Sequence, residues 1–259
     1  MKKILIAEGN LREENKRFSE VGIQTHTESL IETLSHFNKN LEFDIVNPSS
    51  DKKIDHIKDK LMIYDGLIWG GSSLNIYDNT KEIQKQIEFM RECQKKVKKI
   101  LGICWGMQVA VTAAGGQVKK AKNPHIGIAN KISINENGKK HPIYKKKEFT
   151  FNSPAFNFDE VVKLPNSAVC LASNNTNKIQ SLFFNINETQ IWGLQYHPEI
   201  KYEKMIKIIE FRKERLINFR RVFKDEKDIN HHINYIKNEI DNSDQDQRMM
   251  EIKNWLDIL

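Results

Sequence analysis

Cysteine is scarce in this chain: Cys93, Cys104 and Cys170 are the three in 259 residues. None falls in a CxxC pair, and their number is odd. A disulfide scaffold and a zinc ribbon are therefore excluded, and a reducing compartment, the cytoplasm, is expected. Arginine is scarce as well, at eight of the 41 basic residues. The net charge of +7 thus rests on lysine. No nucleic-acid-binding motif accompanies it, so no nucleic-acid partner is expected. Long hydrophobic runs are missing. The most apolar stretch, residues 100–116, contains Gln108 and four glycines and is short for a bilayer crossing, so no membrane is expected. Only four apolar residues separate Lys3 from Glu8, too few for a signal-peptide core. No P-loop glycine motif is present, and ATP chemistry has no home in the chain.

What is present is a clustered apolar pattern. Hydrophobic residues make up 39% and charged residues 29%, with aromatics enough to build a core and exclude a disordered chain. Short apolar runs at residues 4–7, 43–46, 66–69 and 97–103 read as strands. Between them lie helical patterns at residues 27–37, around Ile54, Ile57 and Leu61, and at residues 78–93. A helix over residues 105–114, ended by Gly115-Gly116, follows the fourth strand. This alternation predicts a mostly parallel sheet covered on both faces. Beyond Gly116 the pattern changes to strands linked by turns, near Val118 and at residues 126–134, 149–151, 168–172, 179–185 and 190–196. From Tyr202 onward the chain is helical again. Tyr202, Met205, Ile209, Leu216, Phe219 and Phe223 form one apolar stripe, Ile229, Ile233, Ile236 and Ile240 a second, and Ile252, Trp255 and Leu256 a third. Residues 201–221 carry eight basic and three acidic side chains, residues 222–259 five and nine, so the two segments should attract each other.

The chemistry centres on Gly102-Ile103-Cys104-Trp105-Gly106. A cysteine between a buried strand and a helix occupies the context of a nucleophile elbow. The two glycines remove side chains that would crowd the turn. The unpaired N–H groups at the start of a helix favour a negatively charged sulfur and can hold an oxyanion. Of eight histidines, His197 alone ends an apolar strand and precedes Pro198-Glu199. Proline keeps His197 extended, and residues two apart on extended chain project to the same side, which lets Glu199 orient the imidazole. Cys104, His197 and Glu199 thus read as nucleophile, base and orienting carboxylate.

The motifs Gly-Ile-Cys-Trp-Gly-Met-Gln (102–108) and Gln-Tyr-His-Pro-Glu (195–199) resemble those of the class I glutamine amidotransferases, within them the stand-alone proteins similar to the amidotransferase part of GMP synthase. Trp69-Gly70-Gly71-Ser72-Ser73 is a third match. The resemblance covers about residues 1–200. It implies a three-layer flavodoxin-like fold with residues 201–259 as a C-terminal helical extension. It also implies hydrolysis of the glutamine side-chain amide through a cysteinyl thioester. Gly71 and Trp105 would supply backbone N–H groups to the oxyanion hole, with Gln108, Gly70 and Ser72 at the substrate. No metal or cofactor is implied. The substrate would be glutamine or another gamma-glutamyl small molecule, with a separate synthetase subunit to receive the ammonia and room for a homo-oligomer. Two features depart from the pattern. The histidine of the family's Ser-His-x-Asp segment is missing from residues 151–159, where Asn157 can stand in its place, and His125 occupies a usually acidic position as either a substrate contact or an exposed loop residue. Two alternatives stay open: a stand-alone gamma-glutamyl hydrolase, and a non-catalytic binding module on the same fold.

Overall fold

A computed structural model describes residues 1–51 and 54–259. The first half builds strands and helices in turn. These are β1 (Lys2–Ala7), α1 (Arg12–Glu20), α2 (His26–Phe37), β2 (Leu41–Val46), α3 (Ile54–Asp59), β3 (Gly66–Trp69), α4 (Lys81–Lys96), β4 (Lys99–Ile103) and α5 (Trp105–Ala113). Then come β5 (Gln117–Ile126), β6 (Ala129–Ile134), the short α6 (Glu136–Lys139), β7 (Thr150–Ser153), β8 (Phe156–Lys163), β9 (Val169–Ser173), β10 (Ser181–Ile186) and β11 (Thr189–Leu194). The chain closes with α7 (Tyr202–Phe211), a π-helical turn at Arg215–Phe219, α8 (Glu226–Asn242), α9 (Gln245–Arg248) and α10 (Met250–Ile258).

Nine strands form one sheet in the order β2-β1-β3-β4-β11-β10-β9-β6-β7. The half from β2 to β11 is parallel. β10, β9, β6 and β7 extend it in antiparallel pairs. The expected α/β architecture is thus present, and β11, though last in the chain, inserts beside β4 in the parallel half. β5 and β8 pair apart from it as an antiparallel ribbon. Apolar side chains from both faces fill the layers. Leu5, Trp69, Phe89 and Met107 lie in one core, and Ile4, Ile6, Ile103 and Leu194 in the other. Helix α5 is buried on nearly every side, which is why residues 100–116 look so apolar. Among the described residues no helix is long and apolar enough to cross a membrane.

The C-terminal helices are packed on this body. Trp255 and Ile252 of α10 are fully buried against the core that contains Ile4 and Leu34. Ile229, Ile233 and Ile236 of α8 join Ile206 and Ile209 of α7 over Ile126 and Ile128. The two oppositely charged segments share the ion pair Lys213–Glu226 at 2.8 Å, but Arg212 turns instead to Glu14 on α1.

The structure differs from the sequence reading in four places. The strand expected over residues 126–134 is two strands, broken at Gly127. Its φ of +82° suits glycine, and a Cβ there would sit 2.5 Å from Ile236 Cδ1. Helix α1 carries no apolar period and buries only Phe18, so tertiary contact decides it. β8 does not show in the apolar pattern, because its inward positions include Asn157 and Asp159. Phe219, expected in the core, is 80% exposed. Phe219 closes a π-helical turn whose wider spiral takes it off the stripe, while Leu216 before it and Phe223 beyond it still pack with the apolar cluster.

Candidate active site

The parallel pairing of β4 with β11 builds the site. Ile103 lies opposite Leu194, and the Cys104 N–H donates to the Leu194 carbonyl at 2.6 Å. The segments that follow these two strands therefore leave the same end of the sheet side by side, the place where open α/β sheets collect functional groups. Cys104 has φ 52° and ψ −100°, a backbone conformation costly for a side-chain-bearing residue. A Cβ on Gly102 would be 2.6 Å from the Gly106 carbonyl carbon, and one on Gly106 would run into the Trp69 carbonyl oxygen. These contacts leave both positions to glycine and hold the strained turn from below.

Beyond β11, His197 and Glu199 are both buried, with His197 Nδ1 2.7 Å from Glu199 Oε1. Burial disfavours the imidazolium, but the Glu199 carboxylate and then the Cys104 sulfur outweigh it and raise the His197 pKa to about 10. Burial likewise opposes the charge on Glu199, yet His197 holds its carboxyl well below the usual range. The His197 N–H donates to the Pro154 carbonyl at 2.7 Å, which pins the segment to the β7–β8 junction. The three candidate residues thus come together.

The other expected positions surround them. A Cβ on Gly71 would lie 2.7 Å from Cε1 of both His197 and His26. The Gly70 carbonyl accepts from the Gly106 N–H at 3.2 Å, tying the glycine turn to the elbow. Trp105 opens α5, where the first N–H groups have no partner one turn back in the helix. Its indole donates to Gln86 at 2.7 Å. Ser72 and Gln108 line the pocket that reaches Cys104. Gln108 reaches the thiol through an intermediary: its amide donates to Gln195 at 3.3 Å, and Gln195 Nε2 contacts Cys104 Sγ at 3.5 Å.

His125 is neither exposed nor in a loop. It lies buried on β5, with Nε2 at 3.2 Å from the Asn174 amide, and burial lowers its pKa to about 4. Asn157 sits across the ribbon from it, lines the pocket and donates to the Asp159 carbonyl at 3.0 Å.

Sequence reasoning missed His26 as a neighbour of the site. Its ring stacks on His197 at 5.3 Å, and its Nδ1 lies 3.9 Å from Glu199 Oε1. Burial, partly offset by Glu199, lowers its pKa and keeps it neutral. No motif marks it; a buried histidine at the start of α2 becomes visible only once β11 is placed. His26, His197 and Glu199 offer ligand atoms within 4.8 Å of one another, a spacing that could hold a cation. The His197–Glu199 hydrogen bond already accounts for most of that closeness. Also missed were Arg212, Arg215 and Arg220, which reach the pocket from the C-terminal segment.

Residues 22–213 match the glutamine amidotransferase class-I family. The chain belongs to that family. Among its relatives, the gamma-glutamyl-L-1-hydroxyisopropylamide hydrolase of a Pseudomonas species is 30% identical over 202 residues, covering 76% of this chain and 68% of the relative. A glutamine-hydrolysing GMP synthase subunit from Sulfurisphaera tokodaii is 29% identical over 174 residues, 66% of this chain and 85% of that protein. A glutamine amidotransferase structure from Thermotoga maritima superposes with a TM-score of 0.68 over 99% of this chain and 97% of its own, at 17% identity. The likeness in fold to the Thermotoga structure thus includes the C-terminal helices, and the relatives of this family member include both a component of GMP synthase and a gamma-glutamyl hydrolase.

Proposed function

We propose that the protein hydrolyses the side-chain amide of glutamine or a close gamma-glutamyl analogue through a thioester on Cys104. The observation that carries this is the strained elbow at Cys104 beside the buried His197–Glu199 pair, on adjacent parallel strands. The sulfur attacks the γ-carbonyl carbon, and the oxyanion is received by the backbone N–H groups of Gly71 and Trp105. As the C–N bond breaks, His197 protonates the leaving nitrogen. It then takes a proton from water, which adds to the thioester and frees glutamate, restoring the thiol. Glu199 fixes the tautomer and orientation of His197. Gln108, Ser72 and Gly70 contact the bound substrate, and Gln108 also reaches the thiol through Gln195. On this reading residues 1–200 form the catalytic domain, residues 201–259 pack beside it, and the ammonia passes in the cytoplasm to a separate synthetase subunit.

A second reading, a free-standing hydrolase of a gamma-glutamyl amine or peptide, is favoured by the likeness to the Pseudomonas hydrolase over three quarters of the chain. The test is release of ammonia from glutamine and of amine from gamma-glutamyl-isopropylamide by the purified chain, with the Cys104→Ala variant alongside. Turnover of glutamine supports the role of ammonia supplier to a synthetase, and turnover of the alkylamide alone supports the hydrolase. Neither substrate cleaved, or cleavage surviving Cys104→Ala, would refute the thioester chemistry.

A further inference from the structure

The C-terminal segment reaches back over the pocket that holds Cys104. Arg212, Arg215 and Arg220 line the same pocket as Cys104 and Asp159. Their charges are unequally matched. Arg212 donates to Glu14 at 2.6 Å and lies over the Phe156 ring at 5.2 Å. Neither Arg215 nor Arg220 forms an ion pair within 4.0 Å among the described residues, in contrast to Arg212. Arg220 is held 4.4 Å over the Phe158 ring. Partial burial and the nearby Arg220 charge lower the Arg215 pKa, while the Arg215 side chain stays exposed to solvent. Both belong to or follow the π-helical turn that breaks the apolar stripe, a distortion often found at functional sites. Two neighbouring guanidiniums that lack a close ion-pair partner repel each other, and an anion between them relieves that cost.

The pocket lining holds one carboxylate, near enough to Arg220 to feel its charge. Asp159 Oδ1 accepts from the Tyr77 hydroxyl at 2.8 Å. Burial raises its pKa to about 6, so it is mostly ionised at neutral pH. Two cations, one anion and a sulfur lining the same pocket complement one chemical group: an α-amino acid head three bonds from the carbonyl that the sulfur attacks. We infer that Arg215 and Arg220 bind the α-carboxylate of the gamma-glutamyl group and Asp159 its α-ammonium, so that the C-terminal segment completes the substrate site. This rests on the gamma-glutamyl reading above, but it can be tested without turnover.

The test is calorimetric titration of the full-length protein with three probes: L-glutamate, 4-aminobutanoate, which lacks the α-carboxylate, and glutarate, which lacks the amine. Wild type should bind L-glutamate at least about tenfold more tightly than either analogue. Arg215→Gln/Arg220→Gln should weaken L-glutamate by about tenfold or more and leave 4-aminobutanoate unchanged. Asp159→Asn should weaken L-glutamate and 4-aminobutanoate but not glutarate. Lys213→Gln, which removes a nearby charge paired to Glu226, should change none of them. No glutamate binding by wild type, equal losses for glutamate and 4-aminobutanoate in the arginine variant, or an equal effect of Lys213→Gln would each overturn the assignment. Where amide turnover is seen, the arginine variants should raise KM and spare kcat. The expected binding pattern without turnover would sink the hydrolytic reading and leave this site standing.

Discussion

Glu199→Gln tests the electrostatics of the site at its centre. The substitution keeps shape and hydrogen-bonding capacity but removes the charge 2.7 Å from His197 Nδ1. Both groups are buried, so little solvent screens them. In the folded protein the His197 pKa is raised from an ordinary 6.5 to about 10, and that of Glu199 is depressed. The imidazolium therefore contributes stability that is complete below pH 6.5 and is lost as pH rises toward 10. The carboxylate contributes stability that is complete above its unfolded value of roughly 4.3 and is lost as pH falls below it. The pair is worth most between these limits. Removing one partner of a buried pair costs about 3–5 kcal/mol. Urea unfolding followed by tryptophan fluorescence at pH 5.5, 7.5 and 9.5 measures it. The deficit of Glu199→Gln should be largest at pH 5.5 and shrink steadily to pH 9.5. On the proposed chemistry kcat also falls by about 10²- to 10⁴-fold, because the imidazole loses its tautomer control. A deficit of the same size at all three pH values would refute the charge assignment, and so would a variant as stable as wild type at pH 5.5.

Other substitutions probe the scaffold. Gly106→Ala drives a Cβ into the Trp69 carbonyl and should destabilise by at least about 3 kcal/mol or prevent soluble expression, whereas Gly115→Ala, with open space around it but φ +82°, should cost only about 1 kcal/mol in a thermal melt. Trp255→Ala, at a fully buried position on α10, should lower stability by about 3–5 kcal/mol with KM unchanged. Lys147 and Glu251 form a buried pair at 3.1 Å. Lys147→Met alone should lower the melting temperature more than Lys147→Met/Glu251→Leu, since the single change leaves the buried carboxylate without its cation and with the Tyr196 hydroxyl at 2.6 Å as its remaining side-chain partner. An equal or larger drop for the double variant would count against that account.

Much of the site was legible in the chain because its constraints are local. The elbow needs glycines at fixed offsets from Cys104, and both prove to be positions where a Cβ meets backbone. The His197–Glu199 contact is equally local, though not by the extended geometry expected: Pro198 and Glu199 form a turn, closed by the Ile200 N–H on the His197 carbonyl at 3.2 Å, which brings the carboxylate back to the imidazole. The parallel half of the sheet was announced by apolar runs separated by helical patterns, since strands buried on both faces must be apolar throughout. β8 escaped because the residues it turns inward serve the pocket rather than the core, which inverts the alternation that marks a strand. His125 escaped for a related reason. A burial partner such as Asn174 is far away in sequence, and only the fold supplies it.

By itself the sequence determined the elbow, the pairing of His197 with Glu199, the family and the layered fold, all written in spacings of a few residues. The tertiary structure alone decided what depends on elements distant in the chain. β11 lies against β4 and so brings residues 104 and 197 to one end of the sheet. His26 is stacked on His197 from the start of α2. A π-helical turn places Arg215 and Arg220 at the pocket that holds Cys104. Local patterning records which residues must be buried or bent, but not which distant surface will meet them; that is fixed when the helices and sheet close on one another and exclude water.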